Sequence, residues 1–284
     1  MFNGRVSTSV SSRHRRTRRH GTGGWVPNQH GAWAMVTIPW FLGTWQRFRD
    51  GEGAAYALVL GLFWLVGYVA FHATSQWLKS RRQDRYRRPM VTYAAAAAAL
   101  GALTWWLAGP SLIGWAVPFA PLLAVALVLA ARRQERALVG GLSTVAAASL
   151  VVLVARFASP LEVIDGWGTP TVDRALGLAL VCLGYFGGTV FFVKSMIRER
   201  GNPGFLALSV GWHLAATAAT ILATASAGAS PWWAIFFGLT TVRSLALPLI
   251  GPMRPGGPSF TPKQLGLAEA VFSVALVGLA LATA

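Results

Sequence analysis

The feature that most constrains this chain is a repeated alternation. Long apolar runs, each about the length of a bilayer crossing, are separated by short links that carry nearly all the charge. A helix rises about 1.5 Å per residue and the hydrocarbon core is about 30 Å thick, so a crossing takes roughly 17–25 apolar residues. Nine runs qualify: 29–46, 55–78, 91–108, 112–131, 137–156, 174–197, 204–226, 230–250 and 265–283. Charged residues are 12% of the chain, about half the share of a soluble domain. A soluble core cannot absorb so many long apolar runs, and the 13 Trp fit interfacial aromatics. The fold class is therefore all-α: a polytopic membrane protein of nine transmembrane helices. Pro39, Pro118 and Pro121 fall inside spans, where neighbouring helices can satisfy the freed carbonyls.

The charges test the span count. With the N-terminus inside, the inside segments are the tail, "KSRRQDRYRRP", "RRQER", "KSMIRERGNP" and the stretch from Arg243 to Lys263. Together they hold 21 of the 25 Lys and Arg, and only Arg47, Arg49, Arg156 and Arg174 are left outside. One missed helix would invert every later loop, so this split favours nine spans, N-terminus inside and C-terminus outside. Residues 1–24 are basic and Ser/Thr-rich, without the apolar centre of a signal peptide, and read as a disordered cytosolic tail. Residues 25–284 read as a single transmembrane domain. The longest outside link, residues 157–173, is expected to carry a short amphipathic piece. The net charge of +16 is explained by cytosolic loops and anionic lipid, with no nucleic acid partner. The single Cys182 lies in an apolar run and forms no intrachain disulfide.

Ionisable groups inside spans are costly and point to function. Gln29 and His30 fall at the inner end of the first span, and His72, Gln76 and Lys79 in the last turns of the second, followed by Arg81. Lys194 and Arg198 close the sixth span, His213 lies within the seventh, Arg243 within the eighth and Glu269 early in the ninth. All lie in the cytosolic half. His72, Gln76 and Lys79 share a face at i, i+4, i+7. The expectation is a cationic cavity open to the cytosol and closed toward the outside. Competing readings stand beside it. Lys79, Lys194 and Arg198 can snorkel to headgroups. His213 can be a hydrogen-bonded packing residue, and Arg243 with Glu269 a structural ion pair. No array of His, Cys and carboxylates suggests a metal, and no Walker, dinucleotide or nucleophile-elbow motif is present. No cofactor is indicated. The glycines of "GYFGG", Gly184 to Gly188, read as a helix-packing surface.

The run "PNQHGAWAM…P…G", Pro27 to Gly43, resembles the N-terminal signature of the YwiC-like family of bacterial integral membrane proteins, whose function is unknown. "KSRRQDRYRRP" and "FFVKSMIRER" fit that resemblance. It implies a multi-pass protein of the bacterial cytoplasmic membrane. More distantly, the layout is similar to UbiA-type intramembrane prenyltransferases, which implies a UbiA-like helical bundle with an isoprenoid site at the inner ends of spans two and six. Those proteins hold Mg2+ there on Asp-rich motifs. At the similar positions this chain has Lys79 and Lys194, with only Asp84 and Glu199 nearby. Ammonium groups repel metal ions, so Mg2+-dependent prenyl transfer is not expected. Three functions follow: a pocket binding or modifying an anionic lipid or isoprenoid, a transporter of a small anion or proton-coupled solute, and a structural partner of a membrane complex. Oligomeric state is not readable.

Overall fold

The computed structural model describes residues 25, 27, 30–134, 137–254, 256–257 and 260–283, with His30 described by its backbone alone. The tail and Gln29 lie outside the described residues. The helices are α1 (His30–Arg49), α2 (Ala55–Lys79), α3 (Asp84–Ala108), α4 (Ala116–Ala131), α5 (Leu138–Arg156), α6 (Pro160–Asp165), α7 (Pro170–Ile197), α8 (Pro203–Ala227), α9 (Pro231–Ile250) and α10 (Pro262–Thr283). A 3-10 helix, Pro110–Trp115, leads into α4. Local chemistry sets many of these starts. Each helix from α6 to α10 opens on a proline, whose missing N–H costs nothing there. Ser159, Thr169 and Asn202 cap α6, α7 and α8 by accepting backbone N–H bonds. The short α6 lies in the link of residues 157–173.

Among the described residues, eight segments are long and apolar enough to cross a membrane, the 3-10 helix and α4 together forming one of them. The 20-residue α1 is a further long helix, but it ends in Gln46, Arg47 and Arg49 and is less apolar. The sequence expectation places the third span at residue 91, yet α3 starts at Asp84. An acid in the first turn complements the helix dipole, and the arginines after it are good helix formers, so the basic link is largely helical.

Three helices form the centre. α5 and α7 bury the largest share of their length, and α1 packs against both. α1 and α5 run parallel, with Arg47 meeting the Arg156 carbonyl 109 residues later. They approach so closely that a Cβ on Gly43 would run into the Val152 carbonyl, which restricts that position to glycine. α2 lies antiparallel to α1, tied by Trp40 Nε1 to the Ala57 carbonyl (2.7 Å) and Trp64 Nε1 to the Val36 carbonyl (2.9 Å). α3 packs on α2, α4 on α5, and α8 pairs with α9, while α10 returns to α1.

The links α2–α3, α4–α5, α7–α8 and α9–α10 lie at one end, termed the basic end. The opposite end is tied shut by charge. Arg156, only 4% exposed, donates from Nη1 to Glu52 (2.7 Å) and from Nη2 to Asp50 (2.9 Å). Arg47 pairs with Glu52 at 2.9 Å and lies over the Tyr56 ring. Tyr56 OH donates to the Val154 and Ala155 carbonyls. The α1–α2 link is thereby fastened to the end of α5.

Candidate functional site

Two features stand out inside the bundle. The first is a cavity of about 490 Å³ between α2, α3, α4 and α5. Its walls are Phe63, Trp64, Gly67 and Phe71 of α2, Phe119 and Leu123 of α4, Ala147 and Val151 of α5, and their neighbours. It is almost wholly apolar. α3 and α4 share the 3-10 helix at one end but do not pack along their lengths, so the cavity opens between them. Trp105 of α3, Ile113 of the 3-10 helix and Leu123 of α4 line it and remain exposed. The mouth therefore faces the surroundings of the bundle sideways rather than the basic end.

The second is a buried polar cluster where α7, α9 and α10 meet. Arg243 and Glu269 are 7% and 8% exposed, and Arg243 Nη1 donates to Glu269 Oε1. Thr189 donates to Oε2 at 2.7 Å, and Tyr185 OH lies within 3.2 Å of it, 2.9 Å from the Glu269 carbonyl and 3.2 Å from Ser273. The Arg243 guanidinium sits between the rings of Phe192 (4.5 Å) and Phe272 (4.4 Å). Its Nε and Nη2 are buried without a hydrogen-bond partner among the described residues. A monodentate ion pair with three further hydroxyls around it pins three helices together. The hydroxyl partners Tyr185, Thr189 and Ser273 are not singled out by sequence reasoning. Their i, i+4 spacings, 185 to 189 and 269 to 273, are the signal that finds them.

The remaining candidates are dispersed. α2 and α7 do not pack on each other, since α1 and α5 lie between them. His72, Gln76 and Lys79 are half-buried on α2, and Arg81 is exposed just beyond it. Lys194 folds over the Phe205 ring at 5.6 Å, and Arg198 is exposed at the end of α7. None of the candidate residues lines the apolar cavity. The single cationic pocket expected from shared depth is thus not supported: depth along a span does not fix position in the membrane plane. His213 is buried, with Nδ1 2.7 Å from the Ser209 carbonyl. A carbonyl only accepts, so Nδ1 carries the proton. The other ring nitrogen faces α7, where a Cβ on Gly188 would come within 2.7 Å of it. Trp212 Nε1 donates to the Gly184 carbonyl at 2.9 Å. The "GYFGG" glycines are the expected packing surface, and His213 packs on it. Among the described residues no three His, Cys, Asp or Glu side chains form a group suited to a metal ion.

The family model described as "YwiC-like protein" matches residues 26–156. The uncharacterized protein YwiC of Bacillus subtilis (strain 168) is 32% identical over 192 residues, covering 66% of this chain and 74% of that protein. The chain belongs to the YwiC-like family. An uncharacterized protein of Haemophilus influenzae is 28% identical over 195 residues, covering 66% of this chain and 74% of that one. No solved structure matches, so the likeness in layout to UbiA-type enzymes gains no structural support. The segment matched by the YwiC-like model spans α1 to α5 and contains the whole lining of the apolar cavity, from Val36 to Val154. The Arg243–Glu269 cluster lies outside it.

Proposed function

We propose that this YwiC-like protein is a nine-span protein of the bacterial cytoplasmic membrane, N-terminus inside, that takes a single isoprenoid or acyl chain from the bilayer into the cavity between α2 and α5. The observation that carries this reading is the apolar, sideways-open cavity of about 490 Å³. Its volume lies in the range of small-molecule sites. At about 30 Å³ per water-sized group it holds roughly sixteen chain atoms, one chain rather than a two-chain phospholipid. The mouth between α3 and α4 suits a ligand arriving along the membrane. The outward end of the bundle is fastened by Arg156, Asp50, Glu52 and Arg47, which argues against a continuous path for a solute. The basic tail and the Arg-rich links would rest on anionic headgroups.

Photolabelling tests it. A C16 chain carrying a diazirine, incorporated into membranes with the protein, should label peptides from Phe63–Phe71 and Phe119–Ala126 above all others. Labelling spread evenly over lipid-facing helices, α8 included, would refute the assignment.

A further inference from the structure

We infer that the chain in this cavity ends in an uncharged, hydrogen-bonding oxygen group, an alcohol or carbonyl, held by the hydroxyls of Tyr68 and Ser143. This rests on the proposed function and assigns the polar end of its ligand.

Four of the seven polar side chains of the lining are already engaged. Trp64 Nε1 bonds the Val36 carbonyl (2.9 Å), and Trp115 Nε1 the Phe157 carbonyl (3.2 Å). Thr104 and Thr144 turn back onto the carbonyls of Leu100 (2.7 Å) and Gly140 (2.9 Å), four residues earlier in their own helices. Among the described residues, Tyr68 OH and Ser143 Oγ line the cavity and make no hydrogen bond. The Trp105 indole is similarly unengaged, but the residue is 49% exposed at the mouth.

The two residues stand at about one level along the bundle. Trp33 of α1 packs edge-on against Tyr68, with centroids 5.5 Å apart. α1 and α5 run parallel with an offset of 109 residues. The same offset from Trp33 arrives at Leu142, beside Ser143. Both residues therefore lie in the part of the lining toward the basic end, within a turn of Phe71. The opposite side is closed by the 3-10 helix and Trp115.

Chemistry fixes the head. A chain drawn from lipid gains little from apolar burial, because the bilayer is as apolar as the cavity. Discrimination falls to shape and to the polar end. Two neutral hydroxyls each donate and accept, and no cation lines the cavity. An ionised head would lose its solvation there without a counter-charge, so a neutral oxygen fits and a carboxylate or phosphate does not.

Quenching of tryptophan fluorescence by a bromine at the chain end tests this, since Trp64, Trp105 and Trp115 all line the cavity. The probes are 16-bromohexadecanol and 1-bromohexadecane, equal in length but differing by the hydroxyl. Quenching that survives in Gly67→Phe is subtracted as non-specific, because a side chain at Gly67 enters open space within the cavity. One hydrogen bond is worth about tenfold in affinity. The alcohol should bind about tenfold more tightly than the bromoalkane, and Tyr68→Phe with Ser143→Ala should abolish that advantage while leaving bromoalkane binding intact. Equal binding of both probes to the wild-type protein overturns the head assignment alone. Failure of both to bind specifically overturns the cavity reading itself.

Discussion

Replacing Glu269 by Leu should destabilise the protein far more than replacing Glu269 and Arg243 together. In the native bundle Glu269 is the counter-charge of a guanidinium whose side chain is 6% exposed. Without it Arg243 keeps only its contacts with Phe192 and Phe272, worth ~2 kcal/mol each, and has no hydrogen-bonded anion. Breaking a buried pair from one side costs ~3–5 kcal/mol. At ~2–4 °C per kcal/mol for chains of this size, the melting temperature in detergent should fall by ~10 °C. In Arg243→Met/Glu269→Leu both charges leave and similar volume remains. Tyr185 keeps its bond to the backbone carbonyl of residue 269, and Thr189 loses one partner, at ~1 kcal/mol. The double variant should lie within ~2 kcal/mol of wild type, giving a coupling of at least ~3 kcal/mol. Thermal unfolding followed by near-UV circular dichroism, with all four proteins in one detergent, measures it. Additive single-variant losses would refute the claim that the two charges act as a desolvated unit.

Other outcomes follow from the same geometry. Arg156→Ala should cost about 2 kcal/mol, moderated because Asp50 and Glu52 retain side-chain exposures of 24% and 40%. Arg156→Lys should not restore the loss, since one ammonium cannot replace a planar fork reaching two carboxylates; chemical denaturation reads both. Gly188→Leu should lower the melting temperature by several degrees, because its Cβ already meets the His213 ring. For topology, a membrane-impermeant maleimide applied to intact cells should label Trp167→Cys and leave Arg132→Cys unlabelled; both positions are exposed, and the native Cys182 is buried. The reverse pattern would invert the orientation.

The helices were readable because their main signal, apolar length, is local; the first-turn prolines and the caps Thr169 and Asn202 are also local, and the structure shows them at work. The Arg243–Glu269 pair was readable because opposite charges at one depth on successive spans have little else to do in lipid. The cavity was not. Gly67, Ala147 and Val151 face it with side chains indistinguishable in type from those facing lipid, and only the divergence of α3 from α4 creates the space. The reading of Lys79 and Lys194 as one site gains no support for the complementary reason: they share a depth, but α1 and α5 stand between their helices. Ser143 carried no signal at all until the register of α1 on α5 set it level with Tyr68.

The most direct measurement is native mass spectrometry of the purified protein beside Gly67→Phe, which fills the cavity without meeting any atom within 4 Å at its Cβ. The wild-type protein should carry one single-chain lipid of roughly sixteen chain atoms, and the variant, folded to the same melting temperature, should carry none. A wild-type protein free of bound chain, or a variant that retains it, would contradict the account.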